Sequence, residues 1–277
     1  MSFWLAIFFG LVQGITEYLP VSSSAHLAVL TNLFGLNNGS FNMAMFSVFV
    51  HFGTLLSAVL AFRADFGEIL FQSLEYAGQN QAEGRVRTSF PAVRLFLMML
   101  LAVVPLFLIL PLNRRLSGLS GSSGFNGIML AISGLILYIS DQLKSGKKTE
   151  RSISFSDSLI VGICQTVSAI PGLSRTGVVY TAGVAVGFSR EFAVKFAVML
   201  SVPVLFGANL IRLFAAAPGG FSWGALLPCL IGMVAAFVGG IISINTLKDL
   251  AKKGRFSGVA YYACVAGVLS IILSMIF

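Results

Sequence analysis

Two short polar segments hold most of the side chains that could do chemistry in this 277-residue, mostly apolar chain. The first runs from Gln13 to His26 and contains an acid, a proline, three consecutive serines and a histidine. The second, Pro-Gly-Leu-Ser-Arg-Thr-Gly at 171–177, lies in the other half of the chain. Ionisable groups are costly in hydrocarbon and usually mark a functional site there. We therefore expect the two segments to meet in one site.

The first candidate is a cation site on Gln13 and Glu17. These residues are four positions apart, which places them on one face of a helix. A carboxylate and an amide offer oxygen ligands to a hard divalent cation, whose coordination shell would need substrate phosphate or water to be complete. The alternative is that Glu17 pairs with Arg175 for structural reasons alone.

Hydroxyl and imidazole groups form the second candidate. Ser22, Ser23 and Ser24 stand where a second helix should begin, so one of them is expected to be its N-cap. Free N–H groups at such a helix start also bind anions. His26 is close enough in sequence to act as a base for one of these hydroxyls. His51 either helps to hold a phosphate or makes a simple buried polar contact.

Arg175 is the sharpest signal, because a buried arginine must be paired. Its planar guanidinium suits two phosphate oxygens at once. Ser174, Thr176 and backbone N–H groups near Gly172 would complete a phosphate cradle. A purely structural ion pair with Glu17 is the alternative here too.

Composition places these segments in a membrane. The chain is 57% hydrophobic and 10% charged, whereas soluble domains carry about 25% charged residues. Its mean hydropathy is +0.92. The net charge of +8 therefore indicates basic loops at one membrane face rather than nucleic-acid binding. The three cysteines are scattered through apolar runs and are expected to serve packing only: Cys164, Cys229 and Cys264.

The first half reads as a re-entrant hairpin followed by three spans. Phe3–Val12 and Ala25–Leu36 are each about half of what a span needs, and they flank polar Gln13–Ser24. The charged stretch Arg63–Arg94 is expected to contain a short interfacial helix around Phe66–Tyr76. The predicted spans are Met43–Phe62, Leu95–Leu112 with a kink at Pro105, and a shorter one anchored by Ile128–Ile139.

The second half repeats this plan. Short apolar stretches, Leu159–Ala169 and Val178–Val186, flank the second polar break. Gly10-Leu-Val-Gln13 is echoed by Gly162-Ile-Cys-Gln165, which indicates a weak internal repeat. The three predicted spans are Phe192–Leu213, Gly224–Leu247 and Phe256–Phe277.

The resulting prediction is an all-α polytopic membrane protein with six transmembrane helices and two re-entrant helical hairpins in an inverted-topology repeat. It forms one membrane domain over 1–277, with repeat 1 at about 1–140, a linker at about 141–154 and repeat 2 at about 155–277. Fourteen of the 18 lysines and arginines fall in four segments that this topology places on one face: 63–94, 140–154, 190–195 and 248–255. That face is predicted to be cytoplasmic, with both termini outside and the two hairpin tips meeting near the midplane.

The two motifs resemble those of the bacterial undecaprenyl-diphosphate phosphatases. Q-G-I-T-E-Y-L-P-V-S-S-S-A-H resembles the family's first motif, and P-G-L-S-R-T-G resembles its second. The likeness extends over the whole chain, including H-F-G-T from His51. It implies an enzyme of the bacterial cytoplasmic membrane that removes the terminal phosphate of undecaprenyl diphosphate, with an outward-facing site, Mg²⁺ or Ca²⁺ dependence and bacitracin tolerance.

By matching positions, the resemblance places the metal and catalytic acids at Gln13 and Glu17. Its hydroxyl and histidine fall on Ser23 and His26, and its phosphate-binding pair on Ser174 and Arg175. Three positions depart from the family pattern. Gln13 replaces a common acid, Thr176 replaces a serine, and Val179 replaces a threonine.

The predicted substrate is a polyprenyl diphosphate lipid whose tail stays among the spans and other membrane lipids. Either Ser23 attacks the terminal phosphorus with His26 as base, or His26 activates a water, and the sequence does not separate these routes. The rival hypothesis is a polyprenyl-phosphate or anion transporter, or flippase, that uses the same midplane site without chemistry. The metal used in the cell, homo-oligomer formation and movement of the product lipid stay open.

Overall fold

The computed structural model describes residues 1–36, 42–79, 90–109, 111, 118–216 and 223–276. Over these ranges the chain is helical almost throughout, as predicted, and a 3₁₀ turn occupies Gly118–Gly121. The helices are α1 Phe3–Tyr18, α2 Ser23–Leu33, α3 Met43–Ala61, α4 Arg63–Gln79, α5 Pro91–Phe107, α6 Ser123–Gln142, α7 Phe155–Val167, α8 Arg175–Ala185, α9 Arg190–Ala216, α10 Trp223–Lys253 and α11 Ser257–Ile276.

Five of these helices are long and apolar enough to cross a membrane: α3, α6, α9, α10 and α11. The remaining predicted span, Leu95–Leu112, corresponds to α5, an apolar helix of 17 residues with Pro105 inside it. Part of that predicted span lies outside the described residues. The coarse prediction of a multi-pass helical membrane protein is thus confirmed.

The first polar segment is mostly helical, which corrects the prediction that the helix ends at Val12. No residue interrupts α1 before Pro20, so the helix continues to Tyr18. Leu19, which precedes the proline, is extended with φ −60° and ψ 134°, because proline disfavours the helical conformation of the residue before it. The break therefore spans only residues 19–22.

Ser22 starts α2, as expected of an N-cap. Its hydroxyl accepts a hydrogen bond from the backbone N–H of Ala25 at 3.3 Å, and its φ of 61° turns the chain sharply. The helix thus begins at Ser23 rather than at Ala25.

The second break is longer and covers residues 168–174. Helix α7 begins earlier than predicted, because Ser154 and Asp157 form a capping box at its start. Gly172 adopts φ +89°, a left-handed conformation that glycine accepts readily. Ser174 then caps α8, which places Arg175 in the first turn of the helix.

Two other predicted helices are longer than expected. α6 has 20 residues, since the hydroxyls of Ser133 and Ser140 bond to carbonyls of their own helix and leave it unbroken. Because α6 ends at Gln142, the first residues of the predicted linker, which begins at about 141, are helical. The interfacial helix predicted at 66–76 extends over all 17 residues of α4.

Close helix packing brings the two halves together. Helix α1 packs against α10, and α7 packs against α5, so each hairpin lies on a helix of the other half. A Cβ atom added at Gly10 or Gly14 of α1 would overlap a carbonyl oxygen of α10, and one at Gly53 of α3 would overlap another. Small residues at such interfaces let membrane helices approach closely.

Gly14→Ala is expected to destabilise the protein by about 1–3 kcal/mol, because the new methyl group would overlap the backbone carbonyl of Ala236. The thermal unfolding midpoint of the purified protein in detergent would measure this. Gly207→Ala in α9 is the matched control, because no heavy atom lies within 4 Å of its added Cβ. Equal midpoints for the two variants would contradict the tight α1–α10 contact.

Candidate active site

Glu17 is the centre of the site. It is 8% exposed, and its Oε2 accepts hydrogen bonds from Gln13 Nε2 at 2.8 Å and from Ser23 Oγ at 2.7 Å. Its Oε1 accepts from Arg175 Nη2 at 2.7 Å in a salt bridge. The carboxylate therefore joins three of the predicted site residues.

The two polar segments meet, as predicted. Besides the Glu17–Arg175 pair, the Thr176 hydroxyl donates to the backbone carbonyl of Glu17 at 3.1 Å. The backbone N–H of Gly172 donates to Ser24 Oγ at 3.3 Å. These contacts join residues 148 to 159 positions apart in the sequence. They place the two polar breaks side by side in the structure.

The serines of the site have different partners. Ser23 is the only one of the three consecutive serines whose hydroxyl bonds to the Glu17 carboxylate in the described structure. Ser22 Oγ and Ser24 Oγ lie 3.2 Å apart. Ser174 Oγ accepts from the N–H of Gly177 at 3.1 Å as the cap of α8. The predicted phosphate-binding hydroxyls thus cluster at two helix N-termini, where backbone N–H groups favour an anion.

Two buried polar atoms in the site have no hydrogen-bond partner among the described residues: Gln13 Oε1 and Arg175 Nε. One is an acceptor and the other a donor, and both belong to side chains that hold Glu17. Buried polar atoms are rarely left unpaired. A ligand that offers a hydrogen-bond donor or cation to Gln13 Oε1 and an acceptor to Arg175 Nε would satisfy both atoms.

His26 does not contact a serine hydroxyl in this structure. Its Nδ1 lies 2.8 Å from the backbone carbonyl of Ser22, and its Nε2 lies 2.8 Å from the Tyr262 hydroxyl. Because a carbonyl can only accept, Nδ1 carries the hydrogen, and Nε2 of the neutral ring accepts from Tyr262. The role of His26 as a base stays a prediction.

His51 faces the carboxylate from α3. Its Nδ1 lies 2.7 Å from the carbonyl of Ser47, and its Nε2 lies 3.9 Å from Glu17 Oε2. That second distance is too long for a hydrogen bond. His51 thus borders the site, and its part in holding a phosphate stays a prediction.

Sequence reasoning missed three residues of this region. Tyr262 bonds to His26, Ser133 Oγ accepts from the N–H of Ser174 at 2.9 Å, and Arg212 interacts electrostatically with Glu17 and His51. Arg212 is an ionisable residue in a predicted span, and that signal could have identified it. Nothing in the sequence singles out Tyr262 or Ser133.

The side chains fit a divalent cation only if a substrate contributes ligands. The described residues contain no group of three or more His, Cys, Asp or Glu side chains that could hold a metal ion. Gln13 Oε1, buried and unpaired, and the Glu17 carboxylate are nevertheless hard oxygen donors side by side. Mg²⁺ commonly uses one or two protein oxygens together with substrate phosphates.

Comparison with known proteins identifies the family. Residues 6–269 match the family model described as "Bacitracin resistance protein BacA". The chain belongs to this family. The predicted resemblance is therefore confirmed, and both polar segments lie within the matched region.

Relatives of this BacA-family chain carry a consistent name. "Undecaprenyl-diphosphatase" of Halothermothrix orenii is 32% identical over 278 residues and covers 100% of both chains. The protein of that name from Pelotomaculum thermopropionicum is 34% identical, over 99% of this chain and 97% of its own. A third, from Korarchaeum cryptofilum, is 33% identical over 95% and 96%.

Proposed function

We propose that this protein is an integral membrane phosphatase that hydrolyses undecaprenyl diphosphate to undecaprenyl phosphate and inorganic phosphate, and so recycles a lipid carrier of cell-wall synthesis. The observation that carries the proposal is the salt bridge at 2.7 Å between buried Glu17 and partly buried Arg175. It joins the two polar segments in a chain that aligns end to end with proteins named undecaprenyl-diphosphatase. The unpaired Nε of Arg175 leaves a donor for a phosphate oxygen.

The phosphates of the substrate would bind between the N-termini of α2 and α8. Arg175 and backbone N–H groups of both breaks supply positive ends for the anion, and Ser174 and Thr176 flank them. The polyprenyl tail would leave the site sideways among the helices. Positioning and charge stabilisation are the main contributions that a protein makes to phosphoryl transfer.

Ser23 is the proposed nucleophile, because its hydroxyl already donates to Glu17 Oε2. Ser23 Oγ would bond to the terminal phosphorus while its proton passes to Glu17 and the bond to the bridging oxygen breaks. Undecaprenyl phosphate then leaves, and water releases inorganic phosphate from the phosphoserine. The other route, a water activated by His26, predicts that Ser23→Ala still turns over at near-normal rates and that no phosphoserine can be trapped.

A divalent cation, Mg²⁺ or Ca²⁺, would be held by Glu17 and Gln13 Oε1 together with substrate oxygens. When bound, it would supply positive charge to the diphosphate. The rest of the negative charge on the diphosphate would be neutralised by Arg175, which contacts Glu17 directly.

The proposed topology keeps the six crossings, counts α5 among them, and treats α1–α2 and α7–α8 as re-entrant hairpins of an inverted repeat. Reciprocal packing of α1 on α10 and α7 on α5 supports it. We place the protein in the bacterial cytoplasmic membrane with the lysine-rich helix ends inside. Arg212 lies toward the end of α9 opposite Lys195, and its charge acts on Glu17, which supports a site that opens toward the opposite, outer face.

The first test is phosphate release from undecaprenyl diphosphate by the purified protein in detergent, with and without EDTA. We expect release that EDTA abolishes and added Mg²⁺ or Ca²⁺ restores. Phosphate release that persists unchanged in EDTA would contradict the proposed metal dependence. No release from folded protein that still binds the lipid would contradict the phosphatase and favour transport.

Tyr262→Phe tests the route in which His26 activates a water. It removes one hydrogen bond that orients His26, so on that route it should lower kcat by roughly tenfold, whereas attack by Ser23 with Glu17 as proton acceptor predicts an unchanged kcat. Tyr261→Phe is the matched control, as that ring contacts Tyr138 instead. Identical kinetics for the two variants would exclude the His26 route and leave Ser23 with Glu17.

A further inference from the structure

A small cavity lined by both charged and apolar side chains lies at one end of the helix bundle, away from Glu17. It has a volume of about 190 Å³ and is bordered by the end of α3, the start of α9 and the end of α10. Three lysines and one glutamate line it, together with an apolar wall: Phe62, Glu191, Val194, Lys195, Lys248, Ala251 and Lys252. The lining therefore combines basic and apolar side chains.

Its three lysines are unequally neutralised. Lys195 Nζ lies 2.5 Å from Asp65 Oδ1, so its charge is well paired. Lys252 lies 4.0 Å from Asp249, with both side chains about two-thirds exposed. Lys248 has no salt bridge to the described residues, and its Nζ donates only to the backbone carbonyl of Ala61 at 3.3 Å. With the Lys195–Asp65 pair set aside, two lysines face one glutamate, Glu191, so the lining keeps an excess of one positive charge.

Lys248 is held in a fixed position despite this lack of a carboxylate. Its ammonium lies 4.1 Å from the centroid of the Phe62 ring, an arrangement that favours a cation over an aromatic face. Asp65, the partner of Lys195, attracts Lys248, whereas Lys252 and Lys195 of the same lining repel it. An anion in the cavity would relieve that repulsion.

Helix α4 places the cavity at the depth of lipid headgroups. It begins at Arg63, next to Phe62, and Asp65 ties it to Lys195. Its Leu70, Phe71 and Leu74 are 63–65% exposed, although α4 also carries charged residues. Such an amphipathic helix lies in the membrane interface with its apolar side in the acyl region.

We propose that this cavity binds the phosphate headgroup of an anionic phospholipid. Lys248 and Lys252 would pair with the phosphodiester, and Phe62, Val194 and Ala251 would contact the glycerol and the first acyl carbons. Basic cavities between membrane helices on the cytoplasmic side bind such headgroups. A free phosphate would gain nothing from the apolar wall or from the interfacial helix.

The cavity is distinct from the Glu17 site. On α3, the 11 residues from His51 to Phe62 correspond to about 16 Å along the helix axis. On α9, Lys195 and Arg212 are about 25 Å apart by the same measure, and Arg212 is the residue that senses Glu17. The inference therefore does not depend on the proposed phosphatase activity.

The test is binding of tail-labelled phosphatidylglycerol to the full-length protein in detergent, measured by fluorescence anisotropy. Each lysine is expected to contribute roughly fivefold to the affinity, so Lys248→Gln/Lys252→Gln should bind roughly 30-fold more weakly. Lys144→Gln/Lys147→Gln removes the same charge from exposed lysines outside the cavity and should bind like wild type. Lys248→Arg should retain binding.

Several outcomes would overturn the proposal. Equal losses in the two double variants would mean diffuse electrostatic attraction, and equal binding of labelled phosphatidylcholine would mean no headgroup selection. Displacement of the label by inorganic phosphate alone would indicate a free-phosphate site. If the double variant does not fold, Lys252→Gln alone decides, because this side chain is two-thirds exposed and its ion pair with Asp249 is long, at 4.0 Å. Unchanged affinity of that variant would also overturn the proposal.

Discussion

Replacing Arg175 with alanine is expected to lower phosphate release by at least about a hundredfold, the usual cost of removing one donor that stabilises transition-state charge. The guanidinium is the cation that contacts Glu17 at 2.7 Å, and its Nε is free to bind the substrate. The loss should appear in kcat rather than in KM alone, because the charge on the phosphate develops during transfer. Phosphate release over a range of lipid concentrations would separate these parameters.

Two controls make the Arg175 result specific. Arg255→Ala removes an exposed arginine outside the site and should leave release unchanged. Arg175→Lys keeps the positive charge but lacks the planar guanidinium. Its rate of phosphate release should lie between those of Arg175→Ala and wild type. Because alanine leaves Glu17 buried without its cation, folding must be checked by thermal unfolding. Near-normal release from folded Arg175→Ala protein would rule out the proposed site.

Glu17→Gln is expected to lose turnover by about a hundredfold or more and to need far more Mg²⁺ for what remains. The amide keeps the shape of the side chain but cannot replace the anion at a hard-cation site, nor can it accept a proton from Ser23. The dependence of phosphate release on Mg²⁺ concentration would measure both effects. The Glu17 carboxylate accepts hydrogen bonds from Gln13, Ser23 and Arg175, so the substitution alters all three contacts.

Glu17→Asp provides the matched comparison, since it retains the charge on a shorter side chain. We expect it to keep more activity than the glutamine variant and a metal dependence closer to wild type. A Glu17→Gln protein whose Mg²⁺ titration overlays that of wild type would remove Glu17 from the metal site. The salt bridge to Arg175 would then be structural only.

Much of the candidate site could be predicted from sequence because ionisable residues are scarce in this chain. With 10% charged residues, a glutamate and an arginine in apolar surroundings had few partners other than each other. The rule that buried charges pair therefore put the Glu17–Arg175 ion pair among the alternatives, and the structure shows that pair. The N-caps of α2 and α8 also followed from local chemistry, since serine favours that position.

Helix ends were predicted less well where polar residues were taken as breaks. Gln13 and Glu17 lie within α1, because each can bond along its own helix and only Pro20 stops it. The same error shortened α6, whose serines bond to their own carbonyls. Polarity in a membrane segment thus signals a site without signalling a loop.

The sequence by itself determined the membrane class and the two polar segments, because the cost of burying charge leaves little choice, and it offered the Glu17–Arg175 pair as an alternative to separate metal and phosphate roles. The tertiary structure decided which serine contacts the carboxylate, and it joined His26 to Tyr262 from the other end of the chain. It also decided that α10 lies against both Gly14 and Gly53. These contacts depend on the register of packed helices, and helical periodicity shows which face is apolar but not which helix covers it.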